Sequence, residues 1–280
     1  MSFVIRPARA EDVAHIASWT ADTFEWGDYV PVALPGWLDE ADSQLVVCVY
    51  DDDVPVALSR TQMLSPTEAW LSAARVHPDH RRSGMGKAMN DHGVEWAKSR
   101  GALIARLVTE EDNSAAQAQV LKSGYRLTGR WVYATGSASK GRRLPPSQRL
   151  QPATPMDADA AWVFWSLSDL ARAGRDLIDD GWRWRKASPA DLTAAIENHS
   201  LFQSPGGWAI IRTSDQGIRV HWMATTPGDA PLLILGVRDL LRDEYGDEVQ
   251  MMLPETLWGH EALQREGFES RTVLIFSKGL

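Results

Sequence analysis

The chain lacks the features that would place it in several common classes. Cys48 is its only cysteine, so no intramolecular disulfide can form. Its apolar neighbours from Leu45 to Tyr50 point to a buried thiol in a reducing compartment. No run of about 18 apolar residues occurs. The start, Met1-Ser2-Phe3-Val4-Ile5-Arg6-Pro7, has no apolar leader core. Neither a membrane partner nor export is expected, and the expected location is cytoplasmic. Cations are in the minority, 29 Lys and Arg against 37 Asp and Glu for a net charge of −8. That balance argues against nucleic acid, whose binding depends on phosphate neutralisation, and mildly favours a cationic or amine substrate. The histidines, His15, His77, His80, His92, His199, His221 and His260, are scattered, and no His/Cys/Asp/Glu set has ligand spacing, so no metal is expected. No nucleophile-elbow motif accompanies a Ser-His-Asp set.

What is present supports two domains. The chain has 280 residues, 44% of them apolar, enough for two cores in halves of about 140 residues. Near the midpoint, Gly136-Ser137-Ala138-Ser139-Lys140-Gly141-Arg142-Arg143-Leu144-Pro145-Pro146-Ser147 is polar, Gly/Ser-rich and closed by two prolines, as a linker would be. Motifs recur on either side of it in the same order. Ile5-Arg6-Pro7-Ala8-Arg9 returns as Leu150-Gln151-Pro152-Ala153-Thr154, and Val120-Leu121-Lys122-Ser123-Gly124-Tyr125 as Leu263-Gln264-Arg265-Glu266-Gly267-Phe268. Each second motif precedes a short final strand, Trp131 to Tyr133 and Thr272 to Phe276. The pattern suggests tandem duplication of one αβ unit, with chance similarity as the alternative. The expected domains are 1–136 and 149–280, joined by a linker at 137–148.

In the first half, Val4–Arg6 reads as a strand and Ala10 to about Thr20 as an amphipathic helix. Ser43–Tyr50 and Val54–Met63 read as strands joined by an Asp51-Asp52-Asp53 hairpin turn. Ala69–Val76 is a strand, Met85–Arg100 a helix stopped by Gly101, and Leu103–Thr109 a near-continuous apolar strand at a sheet centre. Thr23–Trp37 reads as a long connection, and a further helix runs from a cap at Asn113 to Gly124. The fold class is α/β, an α+β mixed sheet in two units.

The most informative stretch is Val76-His77-Pro78-Asp79-His80-Arg81-Arg82-Ser83-Gly84-Met85-Gly86-Lys87-Ala88-Met89. A strand enters it and a helix leaves it, with two close glycines, flanking cations and no acid after Asp79. Such a turn exposes successive backbone N–H groups at the positive end of a helix dipole, which suits a phosphate or pyrophosphate. A P-loop is excluded, because Gly86-Lys87 is followed by Ala88 and position 81 is not glycine. A dinucleotide fingerprint is excluded, because its third glycine falls at Met89. What remains is Arg-x-x-Gly-x-Gly (Arg81, Gly84, Gly86) behind Val76-His77-Pro78, and it resembles the acyl-CoA pyrophosphate loop of the GNAT N-acetyltransferase superfamily. An ordinary strand-to-helix turn with a solvated basic cluster is the plainer alternative.

The resemblance covers residues 1–135 well and 150–280 weakly. It implies two tandem GNAT-like domains, acetyl-CoA as co-substrate, and direct acetyl transfer to a primary amine of a small molecule or peptide. A homodimer is left open. Pantetheine would lie along Ala74, Arg75 and Val76, with the Val76 N–H facing the thioester oxygen. Arg81, Arg82 and the N–H groups from Ser83 through Gly84, Met85 and Gly86 to Lys87 would hold the pyrophosphate. Asn113 matches a cofactor-touching asparagine, or is simply a cap. Glu25, Trp26, Asp28, Tyr29 and Trp37 would wall the acceptor pocket, or else pack an ordinary connection. The family's thiolate-protonating tyrosine falls at Val120, and its usual glutamate at Trp70, with Glu68 on the same strand face. Glu110 is then the general-base candidate, or else a solvated loop acid. These departures keep a second reading open, a non-catalytic acyl-CoA-binding sensor. In the second half, Thr225-Thr226-Pro227-Gly228-Asp229-Ala230-Pro231 has one glycine, no arginine and two prolines, so a degenerate copy without pyrophosphate binding is expected.

Overall fold

The computed structural model describes residues 2–21, 23, 27–138, 142–214, 217–241 and 248–280. The chain packs as two units, each drawing on separated segments. The first comprises residues 1–107, 114–126 and 276–280, and the second 108–113 and 127–275.

The first unit is built on β1 (Val4–Pro7), α1 (Asp12–Thr20), α2 (Val30–Trp37), β2 (Ser43–Val49), β3 (Pro55–Ser65), β4 (Glu68–Val76), α3 (Met85–Ser99), β5 (Ile104–Glu110) and α4 (Ser114–Lys122). Its strands run in the order β1-β2-β3-β4-β5. The first three pairings are antiparallel and β4 to β5 is parallel. The expected strands, the helix after the glycine loop and the helix-stopping glycines all appear within a few residues of their expected bounds. Gly101 is left-handed (φ +93°), and Ala102 N–H closes on Ala97 O at 3.0 Å. Cys48 is fully buried, and burial pushes its thiol up to about 11.

One expectation is corrected. Thr23–Trp37 is not all connection: Val30–Trp37 is a helix, despite Pro31, Pro35 and Gly36. Val30 and Leu34, one turn apart, are buried with Ile16, Leu45, Val47 and Leu58. Tertiary burial overrides poor helix propensity here.

The second unit contains β6 (Arg126–Ser137), β7 (Gln151–Pro152), α5 (Pro155–Ser166), α6 (Asp169–Gly174), β8 (Leu177–Asp179), β9 (Trp184–Lys186), α7 (Pro189–Glu197), β10 (Leu201–Ser204), β11 (Gly207–Ser214), β12 (Gly217–Ala224), α8 (Ala230–Leu241), β13 (Glu248–Pro254), α9 (Leu257–Arg265) and most of β14 (Glu269–Gly279). Its strands run β14-β6-β13-β12-β11-β10-β7. Pro155 and Pro189 open their helices behind capping boxes, Thr154 with Asp157 and Ser188 with Asp191. Trp165 and Trp222 belong to its core, with ring centroids 5.8 Å apart.

The repeated motifs occupy equivalent positions. β1 leads into α1 as β7 leads into α5. Both helix stops use a left-handed glycine, Gly124 (φ +86°) and Gly267 (φ +68°). Both close with the same six-residue hydrogen bond, Tyr125 N–H to Val120 O at 3.1 Å and Phe268 N–H to Leu263 O at 2.9 Å. The aromatic after each stop is buried. The two final strands run well beyond the expected Trp131–Tyr133 and Thr272–Phe276. The end of the chain returns to the first unit, where Leu280 N–H donates to Leu103 O at 3.0 Å.

Gly93, inside α3, shows how closely that helix lies on its sheet. A Cβ there would collide with Thr61 Oγ1 and meet Leu71 Cδ2 at 3.4 Å. Alanine in a helix interior normally gains about 1 kcal/mol over glycine, while overpacking costs about 1–3 kcal/mol. Gly93→Ala should therefore destabilise the protein, by about 1–2 kcal/mol, in denaturant unfolding followed by circular dichroism. A gain in stability would mean that the helix can lift off β3 freely.

Candidate functional site

The site in the first unit begins where β4 loses its partner. β4 pairs with β5 only over Glu68–Trp70, opposite Ile104–Arg106. From Leu71 onward this edge of β4 has no β5 partner in the register. The last rung is held by an ion pair of low exposure, Arg106 Nη1 to Glu68 Oε1 at 2.5 Å. On the β3 side the ladder skips from Leu58↔Arg75 to Arg60↔Ser72, a bulge that holds Ala73 at φ +54°. Beyond the bulge, His77 N–H donates to Val56 O at 2.8 Å, next to the Ala57↔Val76 rung. Antiparallel alternation then turns the N–H and C=O of Val76 to the open edge.

The turn that follows is braced from beneath. His77, Pro78, Asp79 and His80 form a 3-10 turn, with His77 Nδ1 accepting from Asp79 N–H at 3.3 Å. The rings of Trp19, His77, His80 and Tyr50 follow one another at centroid distances of 5.6, 5.6 and 5.4 Å. Arg82 (φ +64°) and Gly84 (φ +86°) are both left-handed, and residues 81–84 are exposed. Gly84 caps α3 with no side-chain hydrogen bond, and the first turn holds no acid. The opening N–H groups of α3 thus lack intrahelical acceptors at the positive end of the dipole. Among the described residues neither Arg81 nor Arg82 has an ion-pair partner, whereas Lys87 Nζ is held by Asp91 at 2.5 Å.

The two glycines differ. A Cβ on Gly84 would meet open space, so its requirement is its backbone angle. A Cβ on Gly86 would meet Gln119 Nε2 at 2.7 Å, the tip of a flexible side chain on α4 that can move aside.

Other candidate residues have defined partners. Asp28 is buried and takes Arg75 Nε at 2.7 Å and Nη2 at 3.2 Å while accepting from Val30 N–H at 3.0 Å. Arg75 also lies over Tyr29 at 5.7 Å, and Tyr29 meets Trp37 edge-on at 5.9 Å. Arg60 covers Trp37 and pairs with Glu40. Asp28 therefore already holds a cation from its own chain. Glu25 and Trp26, with Asp22, lie outside the described residues. Trp70 is buried, and Val120 lies on α4. Tyr125 is buried and accepts from Asn90 Nδ2 at 3.1 Å, and burial pushes its hydroxyl up to about 12. In the second unit, Glu110 pairs with Arg271 at 3.1 Å, and Asn113 follows the turn after β5, its N–H on Glu110 O at 3.2 Å. Sequence reading missed the Asp28–Arg75 pair, whose members are 47 positions apart with no local signal, and the bulge at Ala73.

The counterpart turn in the second unit is closed. Asp229 N–H and Ala230 N–H both reach Thr226 O, at 3.2 and 2.9 Å, and Thr226 Oγ1 donates to Asp229 Oδ2 at 2.6 Å. Pro227 and Pro231 have no N–H to offer. No group of three or more side chains placed to hold a metal occurs among the described residues. Among those same residues no helix is long and apolar enough to cross a membrane.

Comparison with known proteins accords with this geometry. Residues 12–125 match the acetyltransferase (GNAT) family model, so the first half of the chain carries a GNAT acetyltransferase domain. The whole chain has the fold of two such units in tandem. It superposes on a GCN5-related N-acetyltransferase from Sphaerobacter thermophilus with TM-score 0.72 at 15% identity, covering 99% of this chain and 95% of that one. It also superposes on a tandem GNAT protein from the clavulanic acid biosynthesis pathway with TM-score 0.62 at 16% identity, covering 99% and 98%. The acetyl transferase GW6a of Oryza sativa subsp. japonica is 41% identical over 64 residues, which is 23% of this chain but only 14% of that protein.

The Asp28–Arg75 pair yields a stability prediction. Removing one member of a low-exposure ion pair strands the other, at a typical cost of about 3–5 kcal/mol. Some water access at Arg75, 14% exposed, lowers the expectation to about 2–3 kcal/mol for Asp28→Ala. The double variant Asp28→Ala/Arg75→Met should lose less than the sum of the single losses in thermal unfolding. Strict additivity would show that the pair is not coupled.

Proposed function

We propose that the first unit binds acetyl-CoA and transfers its acetyl group directly to a primary amine of a small molecule or peptide. The observation that carries this reading is the unpaired edge of β4 running from Leu71 to Val76 into the uncapped start of α3. An extended chain with amide groups can add to that edge as a further strand. Ala74, Arg75 and Val76 supply its backbone partners. Arg81, Arg82 and the N–H groups of residues 83–87 hold the pyrophosphate, and Asn113 is a further cofactor contact. Bound acetyl-CoA supplies an activated thioester. The protein's part is to place it, to offer the Val76 N–H to the oxyanion, and to bring in a neutral amine. Tyr29 and Trp37, with Glu25 and Trp26, wall the acceptor. Because Asp28 is spent on Arg75, this wall recognises the amine more by aromatic faces than by that carboxylate. The proposed copies are residues 1–136 and 149–280 of the sequence, and the closed Thr226–Asp229 turn supports reading the second as degenerate. The proposed setting is the cytoplasm.

The general base is Glu110, which must leave Arg271 in order to accept a proton. That pairing, with Val120 at the tyrosine position, favours a second reading, a non-catalytic acyl-CoA sensor.

Isothermal titration should give one acetyl-CoA per chain. Arg81→Ala/Arg82→Ala should weaken binding by about tenfold or more, since charge-assisted bonds to phosphate are lost. Unchanged affinity would sink the cofactor assignment, and two equivalent sites would refute the degenerate copy. Thiol release across amino acids, polyamines, aminoglycosides and peptides then separates enzyme from sensor. With an accepted amine, Glu110→Gln should slow turnover by about 100-fold and flatten the acid limb of the pH–rate profile. Tight acetyl-CoA binding without turnover on any amine would favour the sensor.

A further inference from the structure

α5 is apolar on both sides. Its inner side carries Ala158, Ala161 and Trp165 into the core of the second unit. Its outer side carries Met156, Ala160, Val163 and, one residue past the helix, Leu167. Steps of four, three and four residues line these up as one stripe about 16 Å long. Met156 is 83% exposed, Val163 59% and Leu167 73%. Phe164 flanks the stripe and leans on Trp208 at a centroid distance of 5.8 Å. Among the described residues no other element bears more than two exposed large apolar side chains. The matching helix of the first unit, α1, also buries an apolar side, with Ile16, but turns Ala14, His15 and Ser18 outward. A helix that is apolar all round belongs in an interior, so the outer side of α5 calls for a cover.

The stripe is complementary to itself. With a two-fold axis midway between Ala160 and Val163, a second α5 runs antiparallel to the first. Met156 then faces Leu167 of the second copy, and the small Ala160 faces Val163 of the second copy. The helix ends match in charge. α5 starts with Asp157 and Asp159, and at its other end Arg172 Nη1 donates to Leu167 O at 2.8 Å. Arg172 is 66% exposed, with Asp169 beside it. An antiparallel pair sets the acidic start of each helix near the arginine-capped end of the other, with the helix dipoles opposed. The exposed stripe and Phe164 offer on the order of 450 Å² per copy, so a pair hides about 900 Å² before its polar rim is counted, and the rim brings the total to the roughly 1,200 Å² at which stable interfaces begin. The same acids suit the stripe poorly to an anionic membrane, which interfacial helices meet with Lys and Arg.

We propose that the outer face of α5 is the interface of a homodimer, in which two α5 helices pack antiparallel about a two-fold axis. The occupant of the stripe is a second copy of this chain. The dimer does not depend on the acetyl-CoA assignment.

Sedimentation equilibrium of the whole protein over a micromolar concentration series tests it. The expected limiting mass is twice 31.1 kDa. Val163→Glu places two carboxylates near the axis, and Leu167→Glu places one against Met156 of the second copy. Each should raise the dimer dissociation constant about 100-fold or more, while circular dichroism shows the fold unchanged, because both positions are exposed in the single chain. Val163→Ser, a milder change, should raise it by a smaller factor. Val163→Lys should also dissociate the dimer, and mixing it with Val163→Glu should re-form one, since only this axis brings position 163 near itself. A monomer at every concentration overturns the proposal, whether or not the chain then floats with neutral lipid vesicles. So does a dimer that neither Val163→Glu nor Leu167→Glu disturbs, and so does a Lys and Glu mixture that stays monomeric.

Discussion

The first unit depends on the point at which β4 and β5 part. The Glu68–Arg106 pair closes the last parallel rung, and beyond it β4 has no β5 partner, with the Ala73 backbone bonding Tyr29 instead. A longer ladder would satisfy the backbone groups of that edge internally and leave a plain sheet. Because pairing stops at Trp70, and because the Ala73 bulge re-aims the residues after it, Val76 presents an N–H to the open side just before the chain turns into α3. The pair itself has little exposure, so its attraction is mostly repayment of desolvation.

The loop that follows is held from below and left free above. Rings at Trp19, His77, His80 and Tyr50 brace its base, while Gly84 opens α3 without a cap. A helix start in a finished fold usually spends a serine, threonine or aspartate on its first N–H groups. The second unit does this at its matching turn, where Thr226 and Asp229 close on each other. The start of α3 is thus left without a side-chain cap, while the turn before α8 is closed by Thr226 and Asp229. Away from that closed turn, the second unit carries cations in the last turns of α8 and α9, at Arg238 and Arg265.

Much of this was legible from residue order. The strand, glycine loop and helix of residues 68–99, the helix-stop glycines and the tandem repeat rest on local rules, and local rules survive folding. Gly124 and Gly267 stop their helices whatever packs on them, because only glycine takes the left-handed turn without a Cβ penalty. Less legible were elements whose stability comes from elsewhere in the chain. α2 has two prolines and a glycine, and forms because Val30 and Leu34 complete a core with Ile16. The bulge at Ala73 has no residue signature, since it is a mismatch of register between two strands.

The sequence by itself determined that residues 76–89 pass from a strand into a helix through two close glycines, that residues 225–231 carry one glycine and two prolines, and that motifs recur in the same order in the two halves. Tertiary structure alone decided which charges are available. Asp28 is committed to Arg75, Glu68 to Arg106 and Lys87 to Asp91, whereas Arg81 and Arg82 have no such partner among the described residues. Arg238 is buried with two donors unmet. The physical reason is the range of the interactions. A turn is set by the angles of a few neighbouring residues, but an ion pair is set by whichever side chain the fold brings within about 4 Å, and that partner can lie anywhere along the chain.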